Sequence, residues 1–111
     1  MLASEFAVVA AVGDGQAALE AAAALRPELV VLDLSMPVLS GLEVAVRLAK
    51  LPNPPGIVVL TSHDDLSVAR AAYRAGASEI VPKARISIEL RPAMRRALTK
   101  IRQQHTGVLP A

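Results

Sequence analysis

Three side chains of different chemistry stand directly after short aliphatic runs. Asp33 follows Leu29-Val30-Val31-Leu32, Thr61 follows Ile57-Val58-Val59-Leu60, and Lys83 follows Ile80-Val81-Pro82. A carboxylate, a hydroxyl and an ammonium brought to one place suit a phosphate. The carboxylate oxygen is a nucleophile toward phosphorus and can form an acyl phosphate. The ammonium offsets charge on the phosphoryl oxygens, and the hydroxyl can donate to one of them. A new dianion there gains charge-assisted bonds with nearby donors and shifts the loops that hold them. Each residue also has an ordinary alternative. Asp33 could open a turn before Pro37, Thr61 could be a β-branched strand residue, and Lys83 a solvated loop charge. Only convergence separates the two.

Convergence is what the surrounding elements predict. Four consecutive aliphatic residues before Asp33 read as a strand buried on both faces, as in parallel sheets flanked by helices. Strands are expected over 6–12, 29–33, 57–61 and 79–82, and Pro82 places the last at an edge or a strand end. Helices are expected over 16–25, 41–51 and from Asp64 or Asp65 to Ala75. The last helix is expected from about Arg91, with Pro92 at its first position, to about Gln104. Asp14 caps the first helix and Pro27 stops it. Ser40 with Glu43 fits a capping box, and Gly76 is placed to end the third helix. Strand and helix alternate four times, which points to an α/β parallel sheet covered on both faces. In such sheets ligands bind beyond the carboxyl ends of the strands, and all three reactive side chains stand at those ends.

Composition narrows the function classes. A chain of 111 residues is one domain and buries roughly two thirds of its unfolded surface. With 53% apolar residues but only Phe6 and Tyr73 as aromatics, the core must be aliphatic. No cysteine is present, which excludes disulfides and thiolate metal sites. Two histidines, His63 and His105, make a zinc site unexpected. No apolar run approaches the ~20 residues of a membrane span, and no basic stretch precedes an apolar run at the N-terminus. A cytoplasmic location is expected. Residues 1–83 hold six basic and nine acidic side chains, net −3, whereas residues 84–111 hold six basic and one acidic, net +5. The basic run could touch nucleic acid or an acidic partner, but is read first as the wet face of a terminal helix. No aromatics interleave it, which weakens a single-strand nucleic-acid role.

The ordered motifs Val12-Gly13-Asp14-Gly15-Gln16-Ala17-Ala18-Leu19, Val31-Leu32-Asp33-Leu34-Ser35-Met36-Pro37, Ser40-Gly41-Leu42-Glu43, Val59-Leu60-Thr61-Ser62, Ala75-Gly76-Ala77 and Val81-Pro82-Lys83 resemble the receiver domain of two-component response regulators. The texture is most similar to receivers joined to helix-turn-helix DNA-binding domains. The resemblance implies a flavodoxin-like, doubly wound parallel sheet. It also implies a non-enzymatic phosphorelay role in which Asp33 accepts phosphate from a histidine kinase. Thr61 would be the switch hydroxyl and Lys83 the phosphate-contacting cation. Ser35, Ser62 and His63 would flank the phosphoryl group and tune its hydrolysis. Asp33 and the backbone carbonyl of Ser35 would contact Mg2+. A homodimer or output-domain surface would lie within residues 65–104, DNA would be met only through an output domain, and no membrane contact is expected.

Two departures qualify these expectations. Ile80 falls where the family usually has a rotating Tyr or Phe. The chain also lacks the family's first strand, which holds the acidic pair for Mg2+ and lies centrally in a sheet of order 2-1-3-4-5, and most of its first helix. Residues 1–5 would be a remnant of that helix and 105–111 a flexible tail of the single domain 1–111. Asp33 and one carbonyl make a poor Mg2+ cage, so phosphate uptake is expected to be slow or absent. The strands are expected to re-pair, to exchange with a second copy, or to be marginally stable. The rival function is a pseudo-receiver, an interaction module that is never phosphorylated. A nucleotide site at Gly13-Asp14-Gly15 lacks the third glycine of the dinucleotide fingerprint.

Overall fold

The computed structural model describes residues 8–11, 15–34, 41–62 and 66–105. Within them lie β1 (Val8–Ala11), α1 (Gly15–Leu25), β2 (Leu29–Asp33), α2 (Gly41–Ala49), β3 (Gly56–Thr61), α3 (Leu66–Ala75), β4 (Glu79–Pro82) and α4 (Ile86–His105). The four strands form one sheet in the order β1-β2-β3-β4, and every pairing is parallel. Asp14, Ser40, Asp64 and Asp65, proposed as caps, lie outside the described residues, as do residues 1–5 and 106–111. No helix among the described residues is long and apolar enough to cross a membrane.

The aliphatic runs build the core because successive strand side chains point to opposite faces. Val30, Leu32, Ile57 and Val59 face one layer, with Ala18 and Ala22 of α1, Val44, Ala45 and Leu48 of α2, and Ala72 and Ala75 of α3. Leu29, Val31, Val58 and Val81 face the other layer, where α4 supplies Ala93, Met94, Ala97, Leu98 and Ile101. Among the described residues, the sheet is thus covered by α1, α2 and α3 on one face and by α4 on the other.

The strand order bears on the missing-strand expectation. β1 hydrogen-bonds directly to β2, with Val8 opposite Leu29 and Ala11 opposite Leu32. The central position that the family resemblance assigns to another strand is closed by re-pairing, one of the expected outcomes.

The last helix differs from its expected bounds. It starts at Ile86, not near Arg91, and Pro92 lies inside it. Lys83–Arg85 form a 3-10 turn, and the Ile86 N–H donates to the Lys83 carbonyl, so the chain enters the helix without a break. A proline within a helix forfeits a backbone hydrogen bond and costs roughly 3 kcal/mol. Packing overrides that cost. Ile86 and Leu90 pack with Ala93, Met94 and Ala97 against the sheet, at helical spacing that extends the apolar face upstream of Pro92, while Pro92 itself is exposed. His105, assigned to the tail, belongs to the helix.

Two helix ends show how local chemistry sets the boundaries. Gly76 ends α3 with φ +114°. Its N–H donates to Tyr73 O at 3.1 Å and the Ala77 N–H to Ala72 O at 3.0 Å, a Schellman pattern at the glycine expected to end this helix. Arg26 ends α1 with φ +48°, its N–H donating to Ala22 O at 3.0 Å. Here a non-glycine adopts the left-handed cap just before Pro27.

A buried charge ties α4 to the sheet. Glu79, at the start of β4, is only 9% exposed. Its Oε1 accepts from Arg96 Nε at 2.9 Å and its Oε2 from Lys100 Nζ at 2.6 Å. Lys100 also donates to Ser78 O at 3.0 Å. Burial pushes the Glu79 carboxyl up, but the hydrogen bonds and charges of Lys100 and Arg96 outweigh it and hold the group below its ordinary value. A carboxyl depressed in the folded state adds stability above its unfolded pKa and loses it as pH falls through the folded one.

Two outcomes follow from these contacts. Gly76→Ala is expected to cost about 2 kcal/mol or more in denaturant unfolding, because its φ disfavours an L side chain and the new Cβ would lie 2.8 Å from Ala49 Cβ. Glu79→Gln is expected to cost about 1–2 kcal/mol at neutral pH, with the two unfolding curves converging as pH drops below the carboxylate range.

Candidate functional site

The parallel sheet delivers Asp33, Thr61 and Lys83 to one rim. Asp33 is the last residue of β2 and Thr61 the last of β3. Lys83 follows Pro82, the last residue of the edge strand β4. The register sets their heights, with Asp33 opposite Leu60 and Thr61 opposite Pro82. The strands reach the rim together because their aliphatic segments are buried in register. The first polar residue after each apolar run therefore stands at that rim.

Asp33 and Lys83, fifty positions apart in sequence, meet directly. Lys83 Nζ lies 2.8 Å from Asp33 Oδ2, and the two side chains are 34% and 31% exposed. The pair is sheltered enough to be oriented and open enough to be reached from solvent. Thr61 is buried, whereas Ser62 next to it is exposed. Ser35 and His63 lie outside the described residues. The geometry thus joins the carboxylate to the ammonium and sets the hydroxyl on the adjacent strand end.

One contributor had no individual role in the sequence pattern. The backbone just after Asp33 is held from two sides. The Leu34 N–H donates to Leu60 O at 3.2 Å, and Gly41, the first residue of α2, packs against Leu34 and the Asp33 carbonyl. The eight-residue spacing from Asp33 to Gly41 carries no signal of this contact without the fold.

Chemically, a carboxylate beside a fixed ammonium can attack an electrophilic phosphorus. The cation then stands where charge on the phosphoryl oxygens must be offset.

A sequence profile of the response regulator receiver domain matches residues 1–95. The chain belongs to the response regulator receiver domain family. Response regulator MprA of Mycolicibacterium vanbaalenii is 41% identical over 87 residues, covering 78% of this chain and 38% of that protein. The chain accordingly spans well under half the length of the curated relatives it matches. A LuxR-family two-component response regulator from Aurantimonas is similar in structure, with TM-score 0.75 and 29% identity over 83% of this chain and 66% of that one. The REC domain of AraT, a response regulator from Geobacillus stearothermophilus, gives TM-score 0.69 and 32% identity, covering 83% of this chain and 71% of that one.

Receiver domains are signalling modules of two-component systems and generally bind Mg2+. Among the described residues of this receiver, no group of three or more His, Asp or Glu side chains could hold a metal ion. Asp33 Oδ2 is already engaged by Lys83. Mg2+ requires near-octahedral oxygen ligation, and the described side chains alone do not supply it.

Since the Asp33–Lys83 pair is about one third exposed, Lys83→Ala is expected to change folding stability by less than about 1 kcal/mol. Denaturant unfolding of the variant beside the parent checks this.

Proposed function

We propose that this receiver domain takes part in a phosphorelay, with Asp33 as the acceptor. A carboxylate oxygen of Asp33 attacks the phosphorus of a phosphohistidine on a histidine kinase. The P–O bond forms as the P–N bond breaks, and the imidazole leaves as the neutral base after taking a proton. Lys83 offsets charge on the transferred phosphoryl group, and the Thr61 hydroxyl bonds to it as the switch. Ser62, with Ser35 and His63, tunes hydrolysis. The single observation that supports this reading is the 2.8 Å contact between Lys83 and Asp33 at the strand-end rim.

The change on phosphorylation is carried to a surface within residues 65–104, where a partner, a second copy or an output domain docks. Lys83 opens the turn that leads directly into α4, so displacement of the ammonium from Asp33 acts at the root of that helix. The output is transcriptional regulation through a DNA-binding domain, by analogy with the relatives, and the site of action is the cytoplasm.

A second reading rests on a specific observation. The described residues hold no cluster of carboxylates for a metal, and phosphoryl transfer relies on metal ions to neutralise developing charge. A pseudo-receiver that docks without phosphate fits that feature.

Incubation with acetyl phosphate and Mg2+, followed by prompt intact-mass analysis, discriminates between them. Slow acyl-phosphate formation on the parent and its loss in Asp33→Asn are expected. An unlabelled parent whose partner affinity is unchanged by Asp33→Asn establishes the pseudo-receiver instead.

A further inference from the structure

The contact between Gly41 and the backbone beside Asp33 goes beyond the residues that meet phosphate. A Cβ built on Gly41 would lie 2.7 Å from Leu34 Cδ2, 2.9 Å from Leu34 Cα and 3.2 Å from the Asp33 carbonyl oxygen. The first neighbour is the end of a side chain and can rotate away. The other two are backbone, and they belong to the acceptor residue and the one that follows it. On its other side that backbone is tied to β3, where the Leu34 N–H is bonded to Leu60 O. The segment is therefore clamped between a strand end and the first residue of a helix, and the helix side tolerates only a hydrogen atom at Gly41.

We infer that Gly41 is a positioning residue for the Asp33–Lys83 pair, an inference that rests on the acceptor role proposed for Asp33. Absence of a side chain at Gly41 lets α2 sit directly on the Asp33–Leu34 backbone, and that seat sets the Asp33 carboxylate opposite Lys83 Nζ. Any larger residue must lift the helix or push the Asp33 backbone, since side-chain rotation relieves only the contact with Leu34 Cδ2. Small displacements of a reacting group are costly, with 1 Å worth up to about a hundredfold in rate.

Gly76 supplies a matched control. A Cβ there is also crowded, 2.8 Å from Ala49 Cβ. Yet Gly76 ends α3 just ahead of the first residue of β4, at the opposite end of the strands from Asp33. Gly41→Ala and Gly76→Ala should both lower the thermal midpoint. Only Gly41→Ala should slow acyl-phosphate formation from acetyl phosphate with Mg2+, by about tenfold or more, and shift the 15N signal of the Lys83 ammonium. The inference is overturned if Gly41→Ala labels at the parent rate with an unmoved Lys83 signal, or if Gly76→Ala loses as much labelling. An unlabelled parent refutes the acceptor role of Asp33, and the Lys83 signal alone then decides the role of Gly41. Should Gly41→Ala fail to fold, Leu34→Ala/Gly41→Ala removes the 2.7 Å contact while keeping the two backbone ones. It is expected to fold with an impaired site, and parent-like labelling and Lys83 signal in it would refute the backbone clamp.

Discussion

The structure depends on two strands that are dry on both faces. Leu29 to Leu32 of β2 and Ile57 to Val59 of β3 are almost wholly removed from water. Each such side chain is worth about 1.5–3 kcal/mol on burial, and a strand apolar on both sides can gain this only between two helix layers. That requirement forces crossover connections, because parallel strands cannot be joined by tight turns. It also brings every strand to the rim in the same direction. Asp33 and Thr61 mark the ends of the apolar runs, so the constraint that builds the core also assembles the polar site at its border.

The two layers are unequal. Among the described residues, three helices pack on one face and α4 packs on the other across β2, β3 and β4. Among the described residues, α4 supplies the helix contacts on that side. This explains why α4 begins at Ile86 and accommodates Pro92 internally. Its grip on the sheet is reinforced where Arg96 and Lys100 converge on Glu79, and again where Arg102 makes two hydrogen bonds to Glu28 ahead of β2. Three of the six basic residues of the C-terminal segment thus pair with carboxylates ahead of β2 and at the start of β4. The sequence pattern places that basic excess on the wet face of a terminal helix, and the side chains of Arg96, Lys100 and Arg102, each more than half exposed, agree with that while also pairing with Glu79 and Glu28.

The site combines a helix-rooted cation with a strand-rooted acid. Lys83 leads into α4 through a 3-10 turn, while Asp33 is fixed by β2, by the Leu60 carbonyl on one side of Leu34 and by Gly41 on the other. The Lys83–Asp33 ion pair thus joins the end of β2 to the turn that leads into α4. Such an arrangement suits a signalling domain, whose task is to convert one local charge change into a shift of a surface.

Strand and helix types, the aliphatic core and the three reactive side chains were legible in the sequence, because burial demands period-two and helical patterns of apolar residues and those patterns are local. The Gly76 cap was legible for a similar reason, since only its own backbone and the preceding turn are involved. Four features were decided by the tertiary structure alone. The direct pairing of β1 with β2 depends on which strands are available as neighbours. The early start of α4 depends on the sheet face left for it to cover. The Glu79 cluster joins residues whose charges are far apart in sequence, and the seat of Gly41 on Asp33 arises only when α2 folds back over β2. Each is a contact between distant segments, and the free energy of such contacts is set by three-dimensional packing that no local pattern encodes.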